Sequence, residues 1–308
     1  MIILCGIASE APIARVTAEL DQLGLPYTLL HQRLFLELPF ELNATATGVR
    51  GRLTGNGGSV DCAEVTGIYA RLMDWRRLPE AREANEAGAA GRDTLRRCQA
   101  WHEALSTWIE IAPGRVMNRA AATASNLSKP YQSQLIRHAG FRVPETLVTN
   151  APELVHDFKA RHGELVYKSI SCQRSVVHLL DRDAMDRLPL IRSCPVQFQQ
   201  RVKGTNIRVH TVADDVFATR IDTDRVDYRY AHQDGGRAEL SPCRLPDDLA
   251  ERCLHLAEEL GLALAGIDLM LADDGDVYCF EVNPSPAFSY FESHTGQPIA
   301  RAIALALR

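Results

Sequence analysis

An acidic hairpin near the C-terminus carries side chains whose types and spacing suit metal chemistry. Glu281 and Asn283 are two residues apart in a predicted strand, so both side chains would lie on one face. If Asp268 lies on an adjacent antiparallel strand and faces the same way, its carboxylate joins them. Carboxylate and amide oxygens suit Mg²⁺, which is usually held by one or two carboxylates while nucleotide phosphates complete its coordination. The pattern therefore predicts a magnesium site.

The alternative interpretation is an acidic hairpin face that points to water. Phe280 and Val282 are predicted to face the core, and the segment leads into a rigid turn, Pro284-Ser285-Pro286. This arrangement is unusual for a plain sheet edge, so we favour the metal site.

Other polar residues on predicted strands are candidates for phosphate or substrate contacts. Lys168 ends an apolar strand and precedes a polar loop, 169–175, and such a cation can bind phosphate or simply be solvated. Arg208 alternates with apolar neighbours and has the same two options. His210, on the strand face of Arg208, either touches substrate or packs in the core. Arg71, at another strand end, either contacts substrate or forms a structural salt bridge.

The hydrophobic pattern predicts a succession of strands and helices around these residues. Strands are expected at 2–7, 26–31, 67–72, 165–170, 175–180, 195–200, 207–213, 216–221, 264–271 and 277–282, with a hairpin over 49–62. Helices are expected at 11–23, 93–109, 126–140 and 249–260. The mixture predicts an α/β fold class.

Length, charge and cysteine usage limit the kinds of partner and compartment. The 308 residues suffice for two or three domains, and a net charge of −5 gives no overall basic field for nucleic acid or an anionic membrane. No run of about 18 apolar residues predicts a membrane span, and the N-terminal segment lacks the basic start of a signal peptide. The eight cysteines form no C-x-x-C pair, so we expect a cytoplasmic protein with reduced thiols.

The order of several short motifs resembles the ATP-grasp superfamily, and within it the RimK-type branch of ribosomal-protein glutamate ligase relatives. The motifs are Ser128-Lys129, Val143-Pro144-Glu145-Thr146, Val166-Tyr167-Lys168, Gln199 to Arg208, Asp227-Tyr228-Arg229, Ala265-Gly266-Ile267-Asp268 and Glu281 to Pro286. Val116-Met117-Asn118-Arg119 and Pro144 to Asn150 also resemble the ligases that crosslink ribosomally made peptides (graspetides). The resemblance covers the chain from about residue 110 onward.

The resemblance implies both a fold and a reaction. The fold would combine α+β lobes in an ATP-grasp arrangement: a pre-ATP-grasp α/β domain over 1–112, a central lobe over 113–193 and a C-terminal lobe with the metal site over 194–308. The reaction would be an ADP-forming ligation of a carboxylate to an amine, on an amino acid, a peptide or a protein tail. It would use ATP and Mg²⁺ and pass through an acyl phosphate, because a carboxylate at neutral pH has a poor leaving group.

The resemblance also implies a role for individual residues. The side chains at the nucleotide phosphates would be Lys129, Lys168, Ser171 and Arg174, and the adenine hinge would be lined by Gln199, Gln200 and Val202. Arg208 would stabilise the transferred phosphoryl group, and Arg229 would face the acceptor or the carboxylate substrate. Mg²⁺ would be held by Asp268, Glu281 and Asn283.

Two positions depart from the family pattern. The loop 169–175 contains no glycine, although the phosphate loop of the family is normally glycine-rich, so Arg174 and the serines would do more of the holding. Gln200 stands where the family usually has an acid, and its carbonyl oxygen can still accept a hydrogen bond from the adenine amino group.

Two other functions fit the same motifs. One is a peptide macrocyclase that forms ester or amide crosslinks, and the other is a non-catalytic nucleotide-binding module with ATP as a regulatory ligand. The loop without glycine favours the regulatory module, whereas the intact set of metal ligands favours an enzyme. The resemblance is compatible with a homo-oligomer, and the donor and acceptor stay undefined at the level of sequence.

Overall fold

The structure is a computed structural model that describes residues 1–46, 48–170, 176–223 and 237–308. Within these residues the chain forms four β-sheets with helices packed against them. The α/β class expected from the sequence is confirmed.

The N-terminal part is built around a parallel sheet. Its elements are β1 (Ile2–Gly6), α1 (Ala11–Leu23), β2 (Tyr27–His31), β3 (Phe40–Thr45), β4 (Gly48–Gly55), β5 (Gly58–Asp61), β6 (Gly67–Ala70), α2 (Pro79–Glu86), α3 (Arg92–Ile111) and β7 (Arg115–Met117). The parallel sheet has the order β2-β1-β6-β7, and β3, β4 and β5 form a separate antiparallel sheet. The strand β1 is continuously apolar because α1 covers one face of the sheet and α3 the other.

The central part contains a smaller antiparallel sheet. Its elements are α4 (Ala120–Thr123), α5 (Lys129–His138), β8 (Thr146–Thr149), α6 (Pro152–His162), β9 (Leu165–Ser169), β10 (His178–Leu179), α7 (Arg182–Asp186) and β11 (Val196–Gln200). The sheet has the order β10-β9-β11-β8, and one face packs on α6 around Leu165 and Phe198. Helix α5 does not join this core, since Ile136 and the following Phe141 pack against the C-terminal sheet.

The C-terminal part provides the largest of these sheets. Its elements are β12 (Gly204–Val212), β13 (Asp215–Thr223), β14 (Ala238–Cys243), α8 (Asp247–Glu259), β15 (Leu264–Ala272), β16 (Val277–Asn283), α9 (Phe288–Thr295) and α10 (Ile299–Ala306). The sheet is antiparallel with the order β14-β13-β12-β15-β16. One face packs on α8, whereas α9 and α10 cover one end of the opposite face and leave polar residues on the rest.

One hydrophobic core joins the two ends of the chain. Phe288 and Ile303 of the C-terminal helices pack with Ile13 and Leu20 of α1. This core brings the N-terminal sheet against the end of the C-terminal sheet where β16 finishes. Among the described residues, no helix has the length and apolar character that a membrane span requires.

Several elements differ from the sequence pattern. The helix expected over 126–140 begins at Lys129, and the strand expected over 175–180 is reduced to β10 among the described residues. The pattern did not predict the strands β3, β7, β8 and β14 or the helices α2, α4, α6, α7, α9 and α10. Helices α9 and α10 have only eight residues each, which is shorter than the window of about 11–18 residues over which a helical period is read.

Candidate functional site

The predicted acidic cluster lies on one face of the C-terminal sheet. Asp268 is the cross-strand neighbour of Glu281 on β16 and of Arg208 on β12. Because directly opposite residues project to the same side of a sheet, these three side chains line up across neighbouring strands. Asn283 follows two residues after Glu281 and shares their face. The strand pairing expected for a metal site is therefore present.

A bulge in β16 corrects one prediction. Asp268 pairs with Glu281, but the next residue of β15 pairs with Cys279, so Phe280 is an extra residue in β16. Cys279 and Val282 are buried, whereas Phe280 is half-buried. The prediction that Phe280 faces the core was wrong, because the extra residue interrupts the strict alternation of strand side chains.

Each carboxylate of the cluster faces a cation. Nη1 of Arg208 donates to Oδ1 of Asp268 at 2.7 Å, and the two side chains are 5% and 30% exposed. Nζ of Lys129 lies 3.1 Å from Oε2 of Glu281, with exposures of 12% and 25%. Burial lowers the local dielectric and strengthens both attractions. The residues thus form a charge-balanced cluster that can exchange a carboxylate partner for a phosphate.

The position of Arg208 depends on a glycine beside it. A Cβ on Gly266 would lie 2.6 Å from Cζ of Arg208 and 2.8 Å from Cβ of Pro286. Both distances are far inside van der Waals contact, so a side chain at Gly266 would displace the guanidinium or the turn. Gly266 stands in one of the family-like motifs, but the motif alone does not indicate this role.

His210 and Phe291 complete the surroundings of Arg208. Nε2 of His210 lies 3.5 Å from Nε of Arg208, and Cζ of Arg208 lies 5.6 Å from the ring centre of Phe291. Burial, with Arg208 adding to it, lowers the pKa of His210 well below its usual range, so the ring stays neutral and accepts from Arg208. Of the two options for His210, the structure supports a packed residue.

Two buried amides hold the backbone around the metal-ligand segment. Gln132 of α5 donates to the carbonyl oxygen of Val282 at 2.8 Å and accepts from its N–H at 3.0 Å. Asn118 donates to the carbonyl oxygen of Pro284 at 2.6 Å and accepts from N–H of Leu264 at 3.1 Å. These contacts fix the end of β16 from two directions. Asn118 stands in one of the motif stretches, whereas no motif in the sequence includes Gln132.

A second group of predicted residues shares a face of the central sheet. Lys168 lies opposite Gln197, and Gln199 follows two residues later on β11. All three are buried, and Nε2 of Gln199 donates to Oγ1 of Thr146 at 3.0 Å. Oε1 of Gln197, which the sequence analysis did not single out, has no hydrogen-bond partner within the described ranges. A buried acceptor without a partner is uncommon, and a ligand with donor groups would satisfy it.

The remaining predicted residues lie elsewhere. Gln200 pairs with Leu165 of the core and so points away from the face that carries Gln199. Val202 is half-buried in the connection between β11 and β12. Three predicted residues lie outside the described residues: Ser171, Arg174 and Arg229.

Comparisons with known protein sequences identify related chains. The model of the RimK-like ATP-grasp domain matches residues 129–307. A probable alpha-L-glutamate ligase of Shewanella loihica is 26% identical over 198 residues, which cover 61% of this chain and 65% of that protein. Beta-citrylglutamate synthase B of Homo sapiens is 25% identical over 62% of this chain and 52% of its own length. The chain thus spans less than two thirds of the length of these curated relatives.

Solved structures match almost the whole chain. The ATP-grasp ligase PsnB, complexed with a minimal precursor, Mg and ADP, is 26% identical with a TM-score of 0.81, covering 99% of this chain and 96% of that one. The macrocyclase MdnC, bound with the precursor peptide MdnA from Microcystis aeruginosa MRC, is 22% identical with a TM-score of 0.78, covering 100% and 99%. The likeness to MdnC concerns the fold alone. Together these matches confirm the fold that the sequence resemblance implies.

Proposed function

The chain belongs to the RimK-like ATP-grasp family, and we propose that it is an ADP-forming ligase that joins a carboxylate to an amine. The observation that carries this proposal is the row of charged side chains across β12, β15 and β16. Arg208 is held there against Asp268, while Lys129 reaches Glu281 from α5. Such a row places cationic side chains next to oxygen ligands for a metal ion. Phosphoryl transfer requires both, because the cations and the metal ion stabilise the negative charge of the phosphates.

ATP and Mg²⁺ are the proposed cofactors. Asp268, Glu281 and Asn283 present oxygen donors on one sheet face, and that donor set fits magnesium. Magnesium, when bound, would neutralise part of the phosphate charge. Lys129 and Lys168 would bind phosphate oxygens as cations. The buried face of the central sheet, with the unpartnered oxygen of Gln197 among the described residues, supports nucleotide binding there.

The proposed reaction has two steps. A carboxylate oxygen of the substrate attacks the γ-phosphorus of ATP, the bond to the ADP oxygen breaks, and an acyl phosphate forms. The amine nitrogen then attacks the acyl carbon, inorganic phosphate leaves with the bonding electrons, and the amine loses a proton. Arg208, fixed by Asp268 and His210, would stabilise the charge on the transferred group. The chemistry needs positioning and charge, without a covalent nucleophile from the protein.

A peptide is the substrate that we favour among an amino acid, a peptide and a protein tail. The ligase PsnB, which is 26% identical, is complexed with a minimal precursor in one structure and with a precursor peptide in another, and the match includes the N-terminal part of this chain. The same activated carboxylate would form an ester or amide crosslink if the nucleophile belonged to the same peptide. Macrocyclisation is therefore the second candidate, and it is compatible with the likeness to PsnB, a ligase complexed with a precursor. We also propose that the protein is cytoplasmic and that neither nucleic acid nor a membrane is its partner. A homo-oligomer is compatible with the family.

The three-part division at residues 1–112, 113–193 and 194–308 stays a proposal. Separate hydrophobic cores in the N-terminal sheet, around α6 and under α8 support it. The packing of Ile136 and Phe141 under the C-terminal sheet supports assigning α5 to the C-terminal lobe, whereas the sequence division places it in the central lobe.

The test is ADP release from ATP and Mg²⁺ in the presence of pooled peptides and amino acids. We expect carboxylate-dependent ADP formation in the wild type and its loss in Glu281→Ala. The matched control is Asp276→Asn, which breaks an ion pair of 2.8 Å with Arg142 at the turn of the same hairpin and should keep the activity. Binding of ATP without turnover across a pool with both carboxylates and amines would favour the regulatory module.

A further inference from the structure

Arg71 connects the N-terminal sheet to the turn that follows β16. It comes directly after β6, and its side chain is 10% exposed. Nη1 of Arg71 donates to Oγ of Ser285 at 3.0 Å and to the carbonyl oxygen of Pro286 at 3.1 Å. Nε and Nη2 donate to Oε1 of Glu10 at 2.9 and 2.6 Å. Every nitrogen of the guanidinium therefore has a partner within the protein.

These contacts favour a structural role for Arg71 over substrate binding. A substrate-binding arginine presents at least one edge of its planar fork to the ligand. Here Glu10 occupies one edge of the Arg71 fork and the turn occupies the rest. Glu10 directly precedes α1, so the carboxylate that orients Arg71 comes from the connection between α1 and β1, the neighbouring strand of the same sheet.

The turn held by Arg71 is coupled to a predicted metal ligand. N–H of Ser285 donates to Oδ1 of Asn283 at 2.9 Å, which fixes the orientation of that amide. Asn118, which follows β7, holds Pro284 in the same turn at 2.6 Å. Strands β6 and β7 are neighbours in the N-terminal sheet. Arg71 and Asn118, which follow these neighbouring strands, thus both donate hydrogen bonds to the turn that follows Asn283.

We propose that Arg71 is a positioning residue for the metal site, acting through Ser285 on Asn283. This inference rests on the proposed function, since it assumes that Asn283 binds Mg²⁺ together with the nucleotide. Groups that orient a metal ligand from behind typically change metal affinity by about 10- to 100-fold when they are removed. The metal site in the C-terminal lobe would then be complete only when the N-terminal sheet is packed against it.

The experiment measures the Mg²⁺ concentration that half-saturates binding of a non-hydrolysable ATP analogue to the full chain. Arg71→Ala should raise this concentration about tenfold or more, and Arg71→Lys should recover part of the loss because one cationic donor returns. The matched control is Arg15→Ala. Arg15 also links the N-terminal part to the C-terminal part, donating to Oγ of Ser293 at 2.7 Å, yet it does not touch the turn. We expect no change in its Mg²⁺ requirement.

A second variant covers the case in which Arg71→Ala does not fold. Ser285 is exposed, so Ser285→Ala removes one acceptor of Arg71 at little structural cost and should raise the Mg²⁺ requirement severalfold. An unchanged requirement in folded Arg71→Ala or in Ser285→Ala overturns the proposal, as does an equal rise in Arg15→Ala. A wild type that binds the analogue without any response to Mg²⁺ would instead refute the proposed function, and this inference with it.

Discussion

Replacing Gly266 with alanine tests whether the site depends on the position of Arg208. The added methyl group would meet Cζ of Arg208 at 2.6 Å and Cβ of Pro286 at 2.8 Å. The Arg208 side chain is only 5% exposed and is enclosed by Asp268 and Phe291. It can relieve the clash only by leaving Asp268 or by pushing the turn that follows Asn283.

The expected magnitudes follow from these contacts. Overpacking of this kind costs about 1–3 kcal/mol of unfolding free energy. A hydrogen bond to a charged group contributes about 1.5–3 kcal/mol, and loss of one preorganised electrostatic contact lowers the rate of the chemical step by about 10²-fold. We therefore predict for Gly266→Ala a folded protein of reduced stability whose carboxylate-dependent ADP release falls by about 10²-fold.

The assay compares ADP release and thermal unfolding in Gly266→Ala and in Gly275→Ala. Gly275 lies at the turn between β15 and β16 with φ +89, and a Cβ there meets no atom within 4 Å. Alanine in this left-handed conformation costs about 1–2 kcal/mol, so the control loses comparable stability without touching Arg208. Wild-type activity in Gly266→Ala, or an equal loss of activity in Gly275→Ala, would show that the activity does not depend on the position of Arg208.

Three further predictions concern the stability of the fold. In the folded protein, burial and Arg208 lower the pKa of His210, so its ring stays neutral. As the pH falls below about 6.5, His210 is protonated only in the unfolded chain. The free energy of unfolding should therefore fall by up to about 1.4 kcal/mol per pH unit. Denaturant unfolding at pH 7 and 5.5 should show a smaller decrease in unfolding free energy for His210→Gln than for the wild type. Equal decreases in the two proteins would contradict this prediction. Arg119→Ala should cost about 1.5–3 kcal/mol by urea unfolding, because Arg119 donates to carbonyl oxygens at the end of α3, namely those of Ile109, Glu110, Ala112 and Gly114. Gln132→Leu should cost about 1–3 kcal/mol by leaving both backbone groups of buried Val282 unpaired, and wild-type stability would show that water replaces the amide.

The acidic hairpin was predictable because local rules govern it. Strand periodicity places Glu281 and Asn283 on one face, and a tight turn makes the preceding strand antiparallel, which brings in Asp268. The bulge at Phe280 was not predictable, since no residue type in β16 signals that an extra residue will interrupt the pairing. The roles assigned to Ser171, Arg174 and Arg229 stay predictions from the family resemblance.

Sequence patterns could not predict the residues that hold the metal-ligand segment in place. Gln132 is 150 residues from Val282, Asn118 is 166 residues from Pro284, and Arg71 is 214 residues from Ser285. Each contact exists because separate sheets and helices pack together, and periodicity describes only the inside of one element. For the same reason, the hydrophobic pattern of α5 could not show that the helix packs against the C-terminal sheet and not against the central one.

Trapping of the activated carboxylate tests the ligase directly. The protein is incubated with ATP, Mg²⁺, pooled peptides and hydroxylamine, and peptide hydroxamates are detected by mass spectrometry. Because hydroxylamine replaces the natural nucleophile, the result does not depend on knowing the acceptor. We expect hydroxamates that require both ATP and Mg²⁺ and that disappear in Asp268→Asn and Glu281→Gln. Tight Mg²⁺-dependent binding of ATP with no hydroxamate on any peptide carboxylate would contradict the proposed ligase activity.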